Sequence, residues 1–478
     1  MSHVAVVGAG LGGLAAALRL RARGFAVTVF EAGPTFGGKM NRWAQGGFTF
    51  DTGPSLITMP WVFEDLFRAA GSCMQDHVEL LPLHPLSEYV YDDGTRFTYT
   101  SSLPDWLRTV KQLDALDIGG FLRFQKLGAS LFEVSKRTFL KRSPAERPGI
   151  EALQALRYMP LRHGWGNYHK TVQAHFRSPY LQQMFDRYPT YVGSSPYSAP
   201  ATLALIPYLE YAFGGYAVRG GLYTIAQSLV ELCERNGVTM CANAEVAHIE
   251  TKDGAAQGIV LRDGRRAAAD VVVMNGDSLS LPGLLNEPPA TDARSMSGFV
   301  MLLGVKRSLP QIAQHTIFFS ADYRREFAEI FEQQQFPTDP TVYVNAASRA
   351  DRRLVPGEGE ALFVMANSPA LGSKWDAAQT ATARARVLAR LRRGGFPEIE
   401  DAIVVEDTWT PKRIEERYLM PGGAIYGADS HGWRNAFFRP RNRHTAIRNL
   451  YRVGGSTHPG GGTPTVLLSA EITCRLIP

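Results

Sequence analysis

Three glycines near the beginning of the sequence have the type and spacing needed to hold a phosphate group. Gly8, Gly10 and Gly13 form the pattern G-x-G-x-x-G, and Glu31 follows at the end of the next apolar segment. The first glycine permits a tight turn, the second lets the backbone approach a pyrophosphate, and the third lets a helix pack closely on a strand. A carboxylate at this distance can accept a hydrogen bond from a ribose hydroxyl. The pattern therefore predicts a dinucleotide-binding site.

A second glycine-rich stretch, VGGSTHPGGGTPTVLLSAE, occurs near the end of the sequence. Gly454 and Gly455 would let the backbone pass close to a ligand. The stretch then becomes apolar, which predicts a helix that starts near Thr465 and Val466 with a proline in its first turn. The positive end of that helix would favour negative charge on the ligand.

His458 is the titratable residue of this second loop. The ordinary pKa of histidine, about 6.5, would suit a general base. The alternative is a structural histidine that hydrogen-bonds to the loop backbone, and this is the interpretation we favour.

A strand–helix–strand unit positions the first loop. The sequence predicts a buried parallel strand from Val4 to Val7, a helix with Leu14 and Leu18 on one face, and a stop at Gly24 before the strand AVTVF. Farther along, it predicts a helix over RGGLYTIAQSLVELCERNG, a strand at AEVAHIE, a hairpin turning at DG and a buried strand VVVM. This alternation indicates an α/β fold.

Composition excludes several functional classes. The chain has 478 residues, 45% of them hydrophobic, and a formal charge of +6. No basic motif with interleaved aromatic residues suggests nucleic acid. The four cysteines lack metal-binding spacing, so we expect no metal site and a reducing, cytoplasmic setting. No segment reads as a membrane-spanning helix.

The segment from about residue 72 to 215 reads as helices and loops. Within it, FLRFQKLGASLFEVSKRTFLKRSP has apolar residues at helical spacing and ends in a basic cluster. This combination suits either a membrane interface or a helix packed on the core with a solvated basic end. The basic residues are Lys136, Arg137, Lys141 and Arg142.

The residues after the first loop resemble the FAD-binding half of the flavoprotein oxidoreductase superfamily that includes the amine oxidases. There the pattern is GxGxxG, then an acid, then GG[RK]. The matching third part here is Gly37-Gly38-Lys39, and FTFDTGPS adds a turn at Gly53, Pro54 and Ser55. The resemblance implies FAD as the cofactor. It also places the backbone of Val246 against the adenine.

Over nearly its whole length the chain resembles the bacterial carotenoid desaturases, the phytoene and diapophytoene desaturase family. The segments that carry this resemblance include YPTYVGSSPYSAP, TPKRIEERYLMPGGAIYG and NLYRVGGSTHPGGGTPTVLLSA. Two departures stand out. Gly455 occupies a position where wider amine-oxidase relatives carry an acid, and Leu181-Gln182 replaces a Leu-Arg pair common in this branch. A catalytic role for an arginine at that position therefore does not transfer.

The resemblance implies a Rossmann-like FAD-binding fold with a discontinuous α+β substrate domain and helical membrane-facing segments. The expected FAD-binding parts are residues 1–71, 218–289 and 425–478. The expected substrate parts are residues 72–217, which would also face the membrane, and 290–424. The first glycine loop would then hold the pyrophosphate and the second the flavin ring.

The resemblance further implies desaturation of a lipophilic polyene such as phytoene or diapophytoene, with hydride passing to flavin N5. Peripheral membrane association and transfer of electrons to a quinone or oxygen would accompany this activity. Alternatives within the family are a hydroxycarotenoid desaturase, a carotenoid oxygenating enzyme and a polyene saturase. Outside it, an amine oxidase and a non-enzymatic flavoprotein that binds prenyl chains remain open.

Overall fold

The computed structural model describes residues 1–144, 146, 150–160, 163–431 and 439–478. The strands in this part of the chain are β1 His3–Val7, β2 Ala26–Phe30, β3 Arg42–Gln45, β4 Phe48–Asp51, β5 Leu80–Pro82, β6 Ser87–Val90, β7 Arg96–Tyr99, β8 Tyr216–Val218, β9 Thr239–Cys241, β10 Val246–Lys252, β11 Ala255–Leu261, β12 Arg266–Ala268, β13 Val271–Met274, β14 Ser297–Val305, β15 His315–Phe318, β16 Val342–Ala346, β17 Glu360–Ser368, β18 Ile403–Trp409 and β19 Leu450–Arg452. The helices are α1 Leu11–Ala22, α2 Pro60–Ala69, α3 Leu103–Leu113, α4 Asp117–Arg137, α5 Ile150–Ala155, α6 Tyr168–His175, α7 Pro179–Asp186, α8 Leu205–Phe213, α9 Tyr223–Arg235, α10 Leu281–Leu284, α11 Tyr323–Phe331, α12 Ala377–Arg393, α13 Ile399–Ala402, α14 Pro411–Tyr418 and α15 Thr463–Leu476.

A five-stranded parallel sheet gathers segments from three distant parts of the chain. Its strand order is β19-β13-β1-β2-β9. Val4 and Val6 pack against α1, α9 and α15 on one face, whereas Ala5 and Val7 pack against the three-stranded sheet β10-β11-β12 on the other. Because both faces of β1 are buried, its sequence is continuously apolar, as expected for a central parallel strand. The predicted α/β fold with a Rossmann-like parallel sheet is confirmed.

The second large sheet is mixed and has seven strands in the order β18-β14-β17-β16-β15-β6-β7. β15 pairs with β6 in parallel, and the other neighbouring pairs are antiparallel. The short hairpin β3-β4 packs on this sheet through Phe48 and Phe50. The chain around residue 50 therefore connects the first glycine loop to the second sheet.

The expectation of helices and loops alone between residues 72 and 215 was wrong. β6 and β7 form a hairpin there whose turn contains Gly94 at φ +86°. The dipeptide Asp93-Gly94 between two apolar runs is a hairpin signal that the sequence does contain.

The apolar face of α4 is part of the core. Phe121, Phe124 and Leu131 are at most 3% exposed and pack within one cluster that includes α6 and α7. At the end of the helix, Lys136 and Arg137 both form ion pairs with Glu133. Of the two interpretations of this segment, the helix packed on the core describes these side chains.

No helix in the described ranges combines the length and apolar character needed to cross a bilayer. The final helix, α15, begins at Thr463, two residues earlier than expected, with Pro464 in its first turn. Leu467, Ala470 and Cys474 are buried in the same apolar cluster as α1.

Candidate cofactor and substrate cavity

A cavity of about 970 Å³ is lined by loops of the parallel sheet and by strands of the mixed sheet. This volume is at the upper end of the range for ligand pockets. Of the residues selected from the sequence, those that line it are Gly8, Gly10, Glu31, Gly37, Gly38, Lys39, Gly53, Pro54, Ser55, Val246, Gly454, Gly455, Thr465 and Val466. The structure therefore brings together loops that are more than 400 residues apart in sequence.

The first loop is a close-packed backbone turn. Gly8 has φ +94°, a conformation that side-chain-bearing residues rarely adopt. A Cβ at Gly13 would lie 2.1 Å from the carbonyl oxygen of Gly8, so the glycine is required for contact between α1 and the turn. Gly13 does not line the cavity; its role is packing, as the spacing indicated. Gly37 adds a hydrogen bond from its N–H to the carbonyl of Ala9 at 2.8 Å.

Glu31 holds the loop from its other side. One of its carboxylate oxygens accepts from the N–H of Ala9 at 2.8 Å, and the other accepts from the N–H of Gly33 at 2.9 Å. Each carboxylate oxygen has a second lone pair. The carboxylate can therefore brace the turn and still accept a hydrogen bond from a ligand hydroxyl.

Asn275, which follows β13, is a site residue that the motif analysis missed. Its Nδ2 donates to the carbonyl of Gly8 at 3.1 Å. Its Oδ1 is so close to both loops that a Cβ at Gly12 would come within 2.5 Å of it and one at Gly454 within 3.1 Å. Asn275 therefore joins the two glycine loops. Its position directly after the buried strand VVVM was the one available signal, because ligands bind at the carboxyl ends of parallel strands.

The second loop presents backbone to the cavity. Gly454 has φ +114°, a conformation that favours glycine. A Cβ at Gly455 would have its nearest non-neighbouring atom 3.6 Å away, which is ordinary van der Waals contact, so a methyl group would fit there without a clash. Gly461, Gly462 and Thr463 continue the lining into the first turn of α15. The free N–H groups and dipole of that turn favour a negatively polarised ligand group.

Lys39 and Asp277 are two oppositely charged residues of the lining. The Nζ of Lys39 donates to the carbonyl of Ile425 at 2.7 Å. Burial lowers the pKa of Lys39 and raises that of Asp277, and the attraction between the two opposes both shifts. One oxygen of Asp277 accepts from the N–H of Leu279, whereas Oδ2 has no hydrogen-bond partner among the described residues. This buried acceptor is suited to a ligand N–H or O–H.

Gly53, Pro54 and Ser55 connect the cofactor loops to the mixed sheet. A Cβ at Gly53 would lie 1.9 Å from the carbonyl oxygen of Lys39, so these two segments touch through their backbones. The hydroxyl of Ser55 is 2.6 Å from that of Tyr343 on β16. Val246, at the start of β10, lines the opposite end of the cavity near Glu31 and Glu245.

His458 is not among the residues that line the cavity. Its Nε2 donates to the carbonyl of Arg142 at 2.8 Å, and its ring packs edge-on against Phe139. Burial lowers its pKa to about 4. The structure thus gives the imidazole a structural role and separates it from the place where a base would act.

The part of the cavity beyond the loops is apolar with a few buried polar groups. Its apolar lining includes Leu205, Ile206, Leu209, Val300 and Phe363. The polar groups include Arg187, Tyr191, Glu210, His315 and Tyr343. Gln182, at the position of the departure from the desaturase pattern, donates to the carbonyl of Phe176 and does not line the cavity.

The two loops fit the predicted FAD. The glycine backbones leave a cradle that side chains would fill, the first turn of α15 offers free N–H groups, and Asp277 retains an unpartnered oxygen. Gly8, Gly10 and Glu31 would hold the adenosine diphosphate end. Gly454, Gly455 and the start of α15 would hold the flavin end.

Comparisons with known proteins agree with this fit. Residues 11–478 match the family model for flavin containing amine oxidoreductases. The chain is 35% identical to a 4,4'-diapolycopene oxygenase of Methylomonas sp, over 98% of this chain and 97% of that protein. It is also 35% identical to a 1-hydroxycarotenoid 3,4-desaturase of Flavobacterium sp. (strain P99-3), over 100% and 99%. The fold is similar to the crystal structure of an oxidoreductase from Methanosarcina mazei, with a TM-score of 0.65, 18% identity and coverage of 99% and 100%. The chain therefore belongs to the flavin-containing amine oxidoreductases, within the family of carotenoid desaturases and oxygenases, and its cofactor is FAD.

Proposed function

We propose that the chain is an FAD-dependent desaturase that introduces C=C bonds into a carotenoid-type polyene. The observation that carries this proposal is the continuity of one cavity, from the two glycine loops into an apolar pocket. A polyene offers almost no polar group for recognition. Its binding must come from buried apolar area, which contributes about 25 cal/mol per Å². The leucine and aromatic lining of the outer part of the cavity supports such binding.

Desaturation breaks two C–H bonds on adjacent carbons and forms one C=C bond. One hydrogen leaves with its electron pair as hydride, and the other leaves as a proton. FAD, when bound, supplies a two-electron acceptor for this oxidation. The residues of this chain bind the polyene, hold the reacting carbons against the cofactor end of the cavity and exclude water. We assign no catalytic base among the charged groups at the cofactor end, which include Lys39, Asp277 and Arg439.

Oxygenation is a second candidate, favoured by the similarity to the 4,4'-diapolycopene oxygenase. The relative with oxygenase activity in its name and the relative named as a desaturase have the same identity to this chain, 35%. Reconstituted protein given phytoene, diapophytoene and hydroxylated polyenes would separate the candidates by product mass. Loss of two hydrogen atoms supports desaturation, gain of oxygen supports oxygenation, and gain of two hydrogen atoms indicates a saturase.

We further propose that the protein works at a membrane surface, from which a lipophilic substrate can enter. Support comes from α8, whose Leu205, Ile206 and Leu209 line the cavity while remaining partly exposed. Trp61, 39% exposed, packs against Phe213 at the end of the same helix. This patch replaces the buried face of α4 as the proposed contact with lipid.

A quinone or oxygen is the proposed electron acceptor, because the sequence has a single dinucleotide fingerprint. Turnover without oxygen or quinone that depends on NADP alone would exclude this acceptor. The division into FAD-binding parts 1–71, 218–289 and 425–478 and substrate parts 72–217 and 290–424 stays a proposal. Its boundaries can be mapped by limited proteolysis of the FAD-loaded protein.

A further inference from the structure

Arg187 places a buried positive charge beside the apolar part of the cavity. It lies directly after α7, lines the cavity and is 8% exposed. A terminal nitrogen of its side chain donates to the hydroxyl of Tyr191 at 3.0 Å, and the buried hydroxyl of Tyr89 also faces it. No carboxylate in the described part of the chain forms an ion pair with it. An arginine has five N–H donors, so the single hydrogen bond to Tyr191 leaves most of its donor capacity unused.

The nearest acid does not neutralise Arg187 directly. Glu210, on α8, is 4% exposed and accepts hydrogen bonds from the hydroxyls of Tyr188 at 2.7 Å and Tyr191 at 3.2 Å. Tyr191 therefore stands between the carboxylate and the guanidinium. A buried charge is costly unless it is paired and hydrogen-bonded. The remaining donors of Arg187 thus favour an acceptor supplied by a ligand in the cavity.

A second polar group, His315, lies next to Tyr343. The guanidinium of Arg187 lies over the Tyr343 ring at 5.6 Å, and the ring of His315 stacks near the same tyrosine with centroids 5.9 Å apart. His315 Nδ1 is 2.6 Å from the Tyr343 hydroxyl, whereas Nε2 has no hydrogen-bond partner among the described residues. Arg187 and His315 therefore form a polar pair with unused hydrogen-bonding capacity beside the apolar lining of the cavity.

A pure hydrocarbon cannot satisfy these groups, and burying it beside them would leave them without partners. An oxygen atom on the ligand would accept from the guanidinium. A hydroxyl also suits the neutral imidazole, because it can donate or accept whichever ring nitrogen carries the hydrogen. We propose that Arg187 binds an oxygen substituent of the substrate, so that the enzyme selects a polyene bearing a hydroxyl or carbonyl group over the corresponding hydrocarbon.

This inference rests on the proposed polyene substrate, and its test measures binding and turnover separately. The FAD-loaded protein is given three polyenes of one chain length that differ only in having a hydroxyl, a carbonyl or no oxygen at one end. Dissociation constants are measured by equilibrium dialysis and turnover by product analysis. A site built around a hydrogen bond discriminates strongly against an analogue that lacks the group. We expect at least about tenfold tighter binding of an oxygenated polyene than of the hydrocarbon, which corresponds to the effect of one well-used hydrogen bond. The hydroxyl and carbonyl arms show which oxygen is preferred.

Arg187→Met should abolish this preference by weakening binding of the oxygenated polyene while leaving that of the hydrocarbon unchanged or stronger. Arg187→Lys, which retains a donor and the charge, should restore part of the preference. The matched control is Arg324→Met, which removes an arginine that lies over Tyr197 and does not line the cavity. FAD content should equal that of the wild type in all three variants.

Equal affinity of the wild-type protein for all three polyenes would overturn the inference, and this measurement needs no folded variant. An equal loss of affinity for the oxygenated and the hydrocarbon polyenes in Arg187→Met would also contradict the inference. Loss of FAD from that variant would assign Arg187 to the cofactor site instead. Selective binding without any oxidation would leave the inference intact and refute the proposed function.

Discussion

The contact between Gly13 and Gly8 gives a sharp test of the first loop. In Gly13→Ala, the new Cβ would lie 2.1 Å from the Gly8 carbonyl oxygen, whereas ordinary contacts begin at 3.4 Å. Helix α1 or the turn must therefore move by about 1.3 Å, the difference between these distances. Overpacking of this kind costs roughly 1–3 kcal/mol. The same carbonyl accepts from Asn275, and loss of that hydrogen bond adds about 1 kcal/mol.

The matched control is Gly119→Ala in the first turn of α4, where a Cβ meets only the flexible end of the Arg123 side chain at 3.2 Å. Both substitutions gain the helical preference of alanine over glycine, about 1 kcal/mol. Their difference therefore isolates the clash. We expect Gly119→Ala to raise the melting temperature slightly and to keep the wild-type FAD content.

For Gly13→Ala we expect a lower melting temperature and at least about tenfold weaker FAD binding, equivalent to about 1.4 kcal/mol. The assays are thermal unfolding of the apoprotein and titration with FAD, followed by flavin fluorescence. Wild-type values for both quantities in Gly13→Ala would refute the close-packed turn. Equal losses in the two variants would show that the effect is not specific to the loop.

Three further predictions concern the second loop, its histidine and the membrane. Gly455→Ala should leave thermal stability unchanged, because the nearest non-neighbouring atom to the new Cβ would be 3.6 Å away. It should weaken FAD binding, because the methyl group enters the cavity. Unchanged FAD affinity would contradict the placement of the flavin end. The pKa of His458 is about 4 in the folded protein and about 6.5 in the unfolded chain. Between these pH values the unfolded state therefore binds more protons than the folded state. The free energy of unfolding should fall as the pH drops from 6.5 to 4, by up to about 3 kcal/mol. His458→Gln should reduce this acid sensitivity without lowering kcat, and a large fall in kcat with normal FAD content would restore the histidine as a catalytic candidate. Sedimentation with anionic liposomes should decrease when four basic residues at and after the end of α4 are replaced by glutamate, relative to a control with the same charge change elsewhere on the surface. Equal sedimentation would show that the basic cluster does not contact lipid. The two sets are Lys136, Arg137, Lys141 and Arg142, and Arg235, Lys252, Arg265 and Arg266.

The strand–helix–strand unit could be predicted because its signals are local. Each of its elements is encoded within a few residues, by an apolar run, by helical spacing or by a glycine that must adopt positive φ, such as Gly8 and Gly24. The hairpin at Asp263-Gly264 was recognisable for the same reason, and β11 and β12 flank it as expected. Hydrophobic periodicity and turn-forming residues were sufficient to predict these parts of the fold.

The mixed sheet was not predicted, because its central strands, such as β14 and β15, are buried throughout and carry no alternating pattern. All nine residues of β14 are buried, so both of its faces are apolar and its period cannot be read. β15 pairs with β6 across more than 200 residues, and no local signal encodes such a partner.

The same limit applies to the candidate site. Motifs identified the glycines, whereas Asn275 and Arg187 became visible only when the fold brought their segments to one cavity. The pKa of His458 depends on burial, and burial is likewise a property of the folded chain.

The central claim is that FAD held by the two loops oxidises a polyene in the adjoining cavity. Anaerobic titration of the FAD-loaded protein with carotenoid-type polyenes tests it most directly. We expect the visible absorbance of the oxidised flavin to be bleached in proportion to the appearance of a product with two fewer hydrogen atoms. A flavin that no polyene bleaches, but that an amine does, would contradict this claim and indicate an amine oxidase.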